Sequence, residues 1–136
     1  SLMADVFAKE VDFFSIGTND LTQYTMSVDR GNEKVSYLYS TFNPAVLRSI
    51  RNIIKCGREA GIMVGMCGEA ASDPMMIPLL LAFGLNEFSM SSSAILKARK
   101  MITGYSEAEL QAVADKAMSF VSAKEIENFM RDFINQ

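Results

Sequence analysis

The stretch Met63-Val-Gly-Met-Cys-Gly-Glu-Ala-Ala-Ser-Asp-Pro74 sets a single cysteine, Cys67, between glycines and a carboxylate, where an apolar run stops. A nucleophilic cysteine ordinarily needs a histidine as its activating base. The chain has no histidine, so Cys–His catalysis within it is excluded. The bland fate of Cys67 is a small residue ending a strand; Gly65 and Gly68 on either side favour close approach of a ligand to the backbone. A second polar cluster is Gly17-Thr-Asn-Asp20. Asp20 fits an N-cap for a helix starting at Leu21, and Asn19 fits turn chemistry or a neutral donor to an oxyanion. Arg30, in the loop Asp29-Arg-Gly-Asn-Glu33, carries a planar fork of donors suited to phosphate or carboxylate. A loop arginine is otherwise a solvated surface group, and Asn32 is expected to shape the loop. Glu69 receives no catalytic role, and Cys56, on an apolar-striped helix, is expected to be structural.

The elements that would carry these groups follow a repeated unit: a short apolar segment, a small polar end, then a helical pattern. Val11–Ile16, Ile62–Met66 and Glu87–Met90 read as strands, ending in Gly-Thr-Asn-Asp, Cys-Gly-Glu and Ser-rich segments. Leu21–Val28 is expected to form a short helix. Pro44 suits the first position of a longer helix, in which Val46, Ile50, Ile53, Ile54 and Gly57 recur at helical spacing and which Gly61 ends. Asp73-Pro74 is expected to open a nearly all-apolar, buried helix over Met75–Phe83. Ser91–Ser93 offer caps for Ala94–Ile102. Ser106-Glu-Ala-Glu109 and Ser122-Ala-Lys-Glu125 fit the capping box, each before an amphipathic stripe: Leu110, Val113, Ala114, Ala117, Met118 and Val121, then Ile126, Phe129, Met130 and Phe133.

Strand–helix alternation implies an α/β fold with a parallel sheet and right-handed crossovers. Functional groups in such folds gather beyond the carboxyl ends of the strands. A closed barrel of eight units takes about 250 residues. The 136 residues here hold three units plus two helices without a strand between them, fewer than half the units of such a barrel, so the chain reads as a piece of a larger α/β fold.

Composition narrows the function classes. A net charge of −3 and a pI near 4.9 lack the basic footprint of nucleic-acid binding. No apolar run reaches the roughly 18 residues that cross a bilayer, and no basic segment leads into an apolar one at the start, so neither membrane insertion nor a signal peptide is expected. Two cysteines and no histidine argue for reduced thiols rather than a disulfide scaffold or a zinc site.

The segments DFFSIGTNDLTQYTMSVDRGN, GMCGE and IPLLLAFGLNEFSMSSSAILKARKMI together closely resemble the C-terminal barrel of the Enzyme I family of the bacterial sugar phosphotransferase system. The resemblance runs from about Ala4 to Ile102 and continues, less distinctively, through the tail. It implies that the fold is the C-terminal part of a TIM-type (β/α)8 barrel, and that residues 1–136 form a domain that binds phosphoenolpyruvate with Mg²⁺, with the N-terminal phosphohistidine domain and the earlier barrel strands outside it. The phosphoryl group would pass to a histidine of that domain and then to a phosphocarrier protein. Asp20 would be a Mg²⁺ ligand, Asn19 and Arg30 would bind substrate, and Cys67 would give a proton to the enolate of pyruvate, acid chemistry that needs no activating histidine. The resemblance also implies a cytoplasmic homodimer assembled through the barrel. The family's metal-binding glutamate and two phosphate-binding arginines belong to preceding strands, so the chain alone is expected to be inactive. Phosphoenolpyruvate synthase and pyruvate phosphate dikinase share a similar loop and cysteine and form one alternative; a non-catalytic dimerisation module forms another.

Overall fold

The computed structural model describes residues 1–135. A short helix, α1 (Ala4–Phe7), precedes strand β1 (Phe13–Gly17), which runs directly into α2 (Thr18–Met26). A loop with one 3-10 turn leads to the longest helix, α3 (Pro44–Glu59), then β2 (Met63–Cys67), a second 3-10 turn, α4 (Ile77–Phe83) and the two-residue β3 (Glu87–Phe88). Helices α5 (Ser92–Ile102), α6 (Glu107–Ser119) and α7 (Ala123–Ile134) complete the chain. The strands pair in parallel in the order β1-β2-β3, with Phe13 opposite Met63, Gly17 opposite Cys67 and Gly65 opposite Glu87.

The expected α/β architecture is therefore present as a three-stranded parallel sheet with seven helices among the described residues. Strand alternation divides the sheet into two unlike faces. Ile16, Val64 and Met66 are buried and join Val46, Leu47, Ile50, Ile54, Leu79 and Leu80 in one apolar core. Each such side chain, fully buried, contributes about 1.5–3 kcal/mol. The opposite face bears Phe13 and Met63, which stay 58% and 50% exposed. Parallel sheets are normally covered on both faces, so this face lacks its cover within the described residues.

Helix α3 forms as its sequence dictates. Asn43 at the N-cap accepts from the Ala45 amide at 2.9 Å, Pro44 occupies the first position, and Val46, Ile50, Ile54 and Gly57 are buried. Both capping boxes form as expected, with Ser106 and Glu109, then Ser122 and Glu125, satisfying each other's backbone amides. Several expected bounds need correction; β3 ends at Phe88 rather than Met90, and α5 starts at Ser92 rather than Ala94. Helix α2 starts at Thr18 rather than Leu21, so Asp20 stands inside its first turn and does not cap it. Helix α4 starts at Ile77; Asp73 instead closes a preceding turn, its carboxylate accepting from the Met75 amide at 2.8 Å. Val121 falls beyond α6 and is 83% exposed rather than part of its apolar stripe.

Candidate phosphoenolpyruvate site

The carboxyl ends of β1 and β2 stand side by side because Gly17 and Cys67 are register partners. From Gly17 the chain enters α2 without a side-chain cap, and the N-terminus of a helix favours anions. Thr18, fully buried, donates its hydroxyl to the Cys67 carbonyl at 3.0 Å. The start of α2 is thereby held against the end of β2. Gly68 then turns the chain with φ at +99°, a conformation that glycine adopts without strain. A Cβ at Gly68 would lie 2.5 Å from Thr18 Oγ1 and 3.3 Å from Asn19 Oδ1. The glycine after Cys67 therefore leaves the space that Thr18 and the Asn19 amide occupy.

The structure thus brings Asn19, Asp20 and Cys67 to one rim. Asn19 is half-buried, and its carbonyl accepts from the Tyr39 hydroxyl at 3.3 Å, which pins the first turn from the loop side. Cys67 is exposed as a free thiol, while Cys56 is buried on α3. The Asp20 carboxylate is exposed and makes no hydrogen bond or ion pair among the described residues. Arg30 is exposed in the loop after α2; its backbone amide donates to Gln23 Oε1 at 3.3 Å, which ties the loop to the same helix. Its guanidinium is not hydrogen-bonded to Asn19, Asp20 or Cys67 among the described residues. Asn32 shapes that loop as expected, accepting from the Lys34 amide at 3.1 Å.

Thr18 and Tyr39 were not singled out as candidates. Both act across long sequence separations, and residue type alone carries no signal of such partners. Cavity size does not mark the rim either. A cavity of about 700 Å³ lined by Arg58, Leu85, Asn86, Tyr105, Leu110 and Gln111 lies on the helix side of the molecule.

Donors, a free carboxylate and a thiol at the carboxyl rim of a parallel sheet are groups suited to a small anionic ligand. Residues 1–106 match the family described as "PEP-utilising enzyme, PEP-binding domain", and the chain belongs to that family. It is 50% identical over 131 residues to the phosphoenolpyruvate-protein phosphotransferase of Staphylococcus carnosus (strain TM300), and 53% identical over 131 residues to that of Priestia megaterium. Each of these alignments covers 96% of this chain and 23% of the relative. Against the phosphotransferase of Staphylococcus aureus it is 50% identical over 132 residues, 97% of this chain. The chain spans about a quarter of the length of these relatives. Their names do not favour the synthase or dikinase alternative.

Proposed function

We propose that this chain is the phosphoenolpyruvate-binding part of a phosphoenolpyruvate–protein phosphotransferase, an Enzyme I, and forms the C-terminal portion of its (β/α)8 barrel. The observation that carries the reading is the Thr18–Cys67 hydrogen bond, which joins the Gly-Thr-Asn-Asp turn and the cysteine in one rim. The uncovered sheet face with Phe13 and Met63 supports the barrel, because a length of barrel wall presents such a face toward the remaining strands. In this reading residues 1–136 belong to one domain, and the phosphohistidine domain and earlier strands lie elsewhere in the protein.

Asn19 supplies a neutral donor to a phosphate oxygen, and Arg30 closes over the phosphate or carboxylate with its two-pronged fork. Asp20 fits Mg²⁺: its carboxylate is a free hard oxygen ligand at the rim, and Mg²⁺ characteristically takes one or two carboxylates, leaving its other positions to phosphate oxygens and water. When bound, the ion neutralises charge on the phosphoryl group in transfer. Cys67 holds the proton that C3 of the enolate must gain once the phosphoryl group has left. The thiol lies exposed at the rim, reachable by substrate, and its backbone is fixed by Thr18.

The whole protein would pass the phosphoryl group to a histidine and on to a phosphocarrier protein for sugar uptake. Homodimerisation through the barrel domain would cover surface such as the exposed Tyr24 and Tyr37, since tyrosine is enriched at interfaces. A cytoplasmic setting is part of this reading; no described helix is long and apolar enough to cross a membrane.

The test is Cys67→Ala in the full-length phosphotransferase. Pyruvate formation should fall by on the order of a hundredfold, and by far more than phosphorylation of the protein histidine. Unchanged turnover would leave Cys67 a packing residue and sink the assignment.

A further inference from the structure

Glu87 opens β3 directly opposite Gly65 of β2. A Cβ at Gly65 would lie 2.7 Å from Glu87 Oε2, 3.4 Å from its Cδ and 3.5 Å from its Cβ. The Glu87 side chain therefore lies over residue 65, on the side to which a side chain there would point. Cys67, two residues further along β2, projects from the same side because strand side chains alternate. Successive same-side positions are about 6.6 Å apart along a strand. A gap of that size between a carboxylate over residue 65 and the Cys67 thiol is one that a single water could bridge. Glu87 is exposed and makes no hydrogen bond or ion pair among the described residues, so no partner there holds its carboxylate away from the thiol. Glycine at 65 is what leaves room for this carboxylate.

We propose that Glu87 is a positioning residue for Cys67, holding the bridging water and returning the proton that the thiol spends. The inference rests on the reading of Cys67 as proton donor. In the first step the S–H bond breaks and a C–H bond forms at C3 of the enolate, giving pyruvate and a thiolate. The thiolate then takes a proton from the bridging water as that water takes one from the Glu87 carboxyl, which has been protonated from solvent. Each pyruvate consumes one solvent proton, and Cys67 and Glu87 end as they began.

The experiment uses the full-length phosphotransferase with phosphoenolpyruvate and Mg²⁺, following histidine phosphorylation and pyruvate formation separately. Glu87→Gln, which keeps the shape, should slow pyruvate formation about tenfold relative to phosphorylation. Added formate should restore pyruvate formation to Glu87→Ala, because a small acid fits the vacated space. Gly65→Ala should mimic Glu87→Gln by displacing the carboxylate, and should add nothing in the Glu87→Ala background. If Cys67→Ala abolishes turnover while Glu87→Gln leaves the ratio of the two steps unchanged, the relay is overturned and the reading of Cys67 survives. If Cys67→Ala changes nothing, both fall together. A loss in Glu87→Ala that formate does not restore and that slows both steps equally also overturns the relay, leaving Glu87 a structural residue.

Discussion

The Thr18 hydroxyl and the Cys67 carbonyl, 49 residues apart in sequence, are joined by a 3.0 Å hydrogen bond. Because Thr18 is fully buried, its hydroxyl has no solvent alternative, and the bond is the direct tie between the start of α2 and the end of β2. Thr18→Val keeps the side-chain shape and removes the donor. We expect it to cost about 1 kcal/mol in urea unfolding and to lower pyruvate formation by the full-length phosphotransferase, since Asn19 and Asp20 lose their fixed place beside Cys67. Thr18→Ser, which retains the donor, should recover most of both. A Thr18→Val protein with wild-type stability and turnover would mean the two rims are held by something else.

Gly68 should prove intolerant for two separable reasons. Its φ of +99° with extended ψ lies in a region essentially reserved for glycine, where other residues lose about 1–3 kcal/mol. A Cβ would also stand 2.5 Å from Thr18 Oγ1, closer than van der Waals contact allows. Gly68→Ala should therefore destabilise the protein by at least that backbone cost. In a Thr18→Ala background the closest clash is removed and only the 3.3 Å approach to Asn19 Oδ1 remains, so the same substitution should cost less there. Strict additivity of the two substitutions in urea unfolding would contradict the contact.

Strands β1 and β2 were legible because they rest on local pattern, whereas the candidate site residues stood out through the family resemblance rather than through spacing. Apolar runs ending in small polar residues located β1 and β2 to within two residues at either end, and helical spacing located the buried face of α3. The start of α2 was not legible. Thr, Asn and Asp favour turns and caps when read locally, yet here Thr18 enters the helix because its hydroxyl is satisfied by a strand 49 residues away. Asp73-Pro74 misled in the same way: the turn it forms is local, but the helix begins three residues later, at Ile77. Helix α1, four residues long, is too short to show a period. The approach of Glu87 to Gly65 depends on strand register, which no short pattern in either strand encodes.

The two capping boxes lead to a pH dependence whose sign follows from the carboxylates. Glu109 is held below its ordinary value of 4.5 chiefly by the hydrogen bond from the Ser106 hydroxyl, with the Ser106 amide adding to it. Glu125 is lowered in the same direction, first by the Ser122 hydroxyl at 2.7 Å. A carboxylate whose folded value is depressed binds its proton more weakly folded than unfolded. Its contribution is present above the ordinary value of 4.5 and is lost as pH falls through the lower folded value. Both glutamates are solvent-exposed, so the effect is small for each and needs a difference measurement. The double variant Glu109→Gln with Glu125→Gln keeps hydrogen-bonding side chains in both boxes but cannot titrate. The Tm of the wild-type protein should lie above that of the variant at pH 7, and the gap should narrow as pH is lowered from 5 toward 3. A gap that stays constant across that range would show that ionised Glu109 and Glu125 do not hold the ends of α6 and α7.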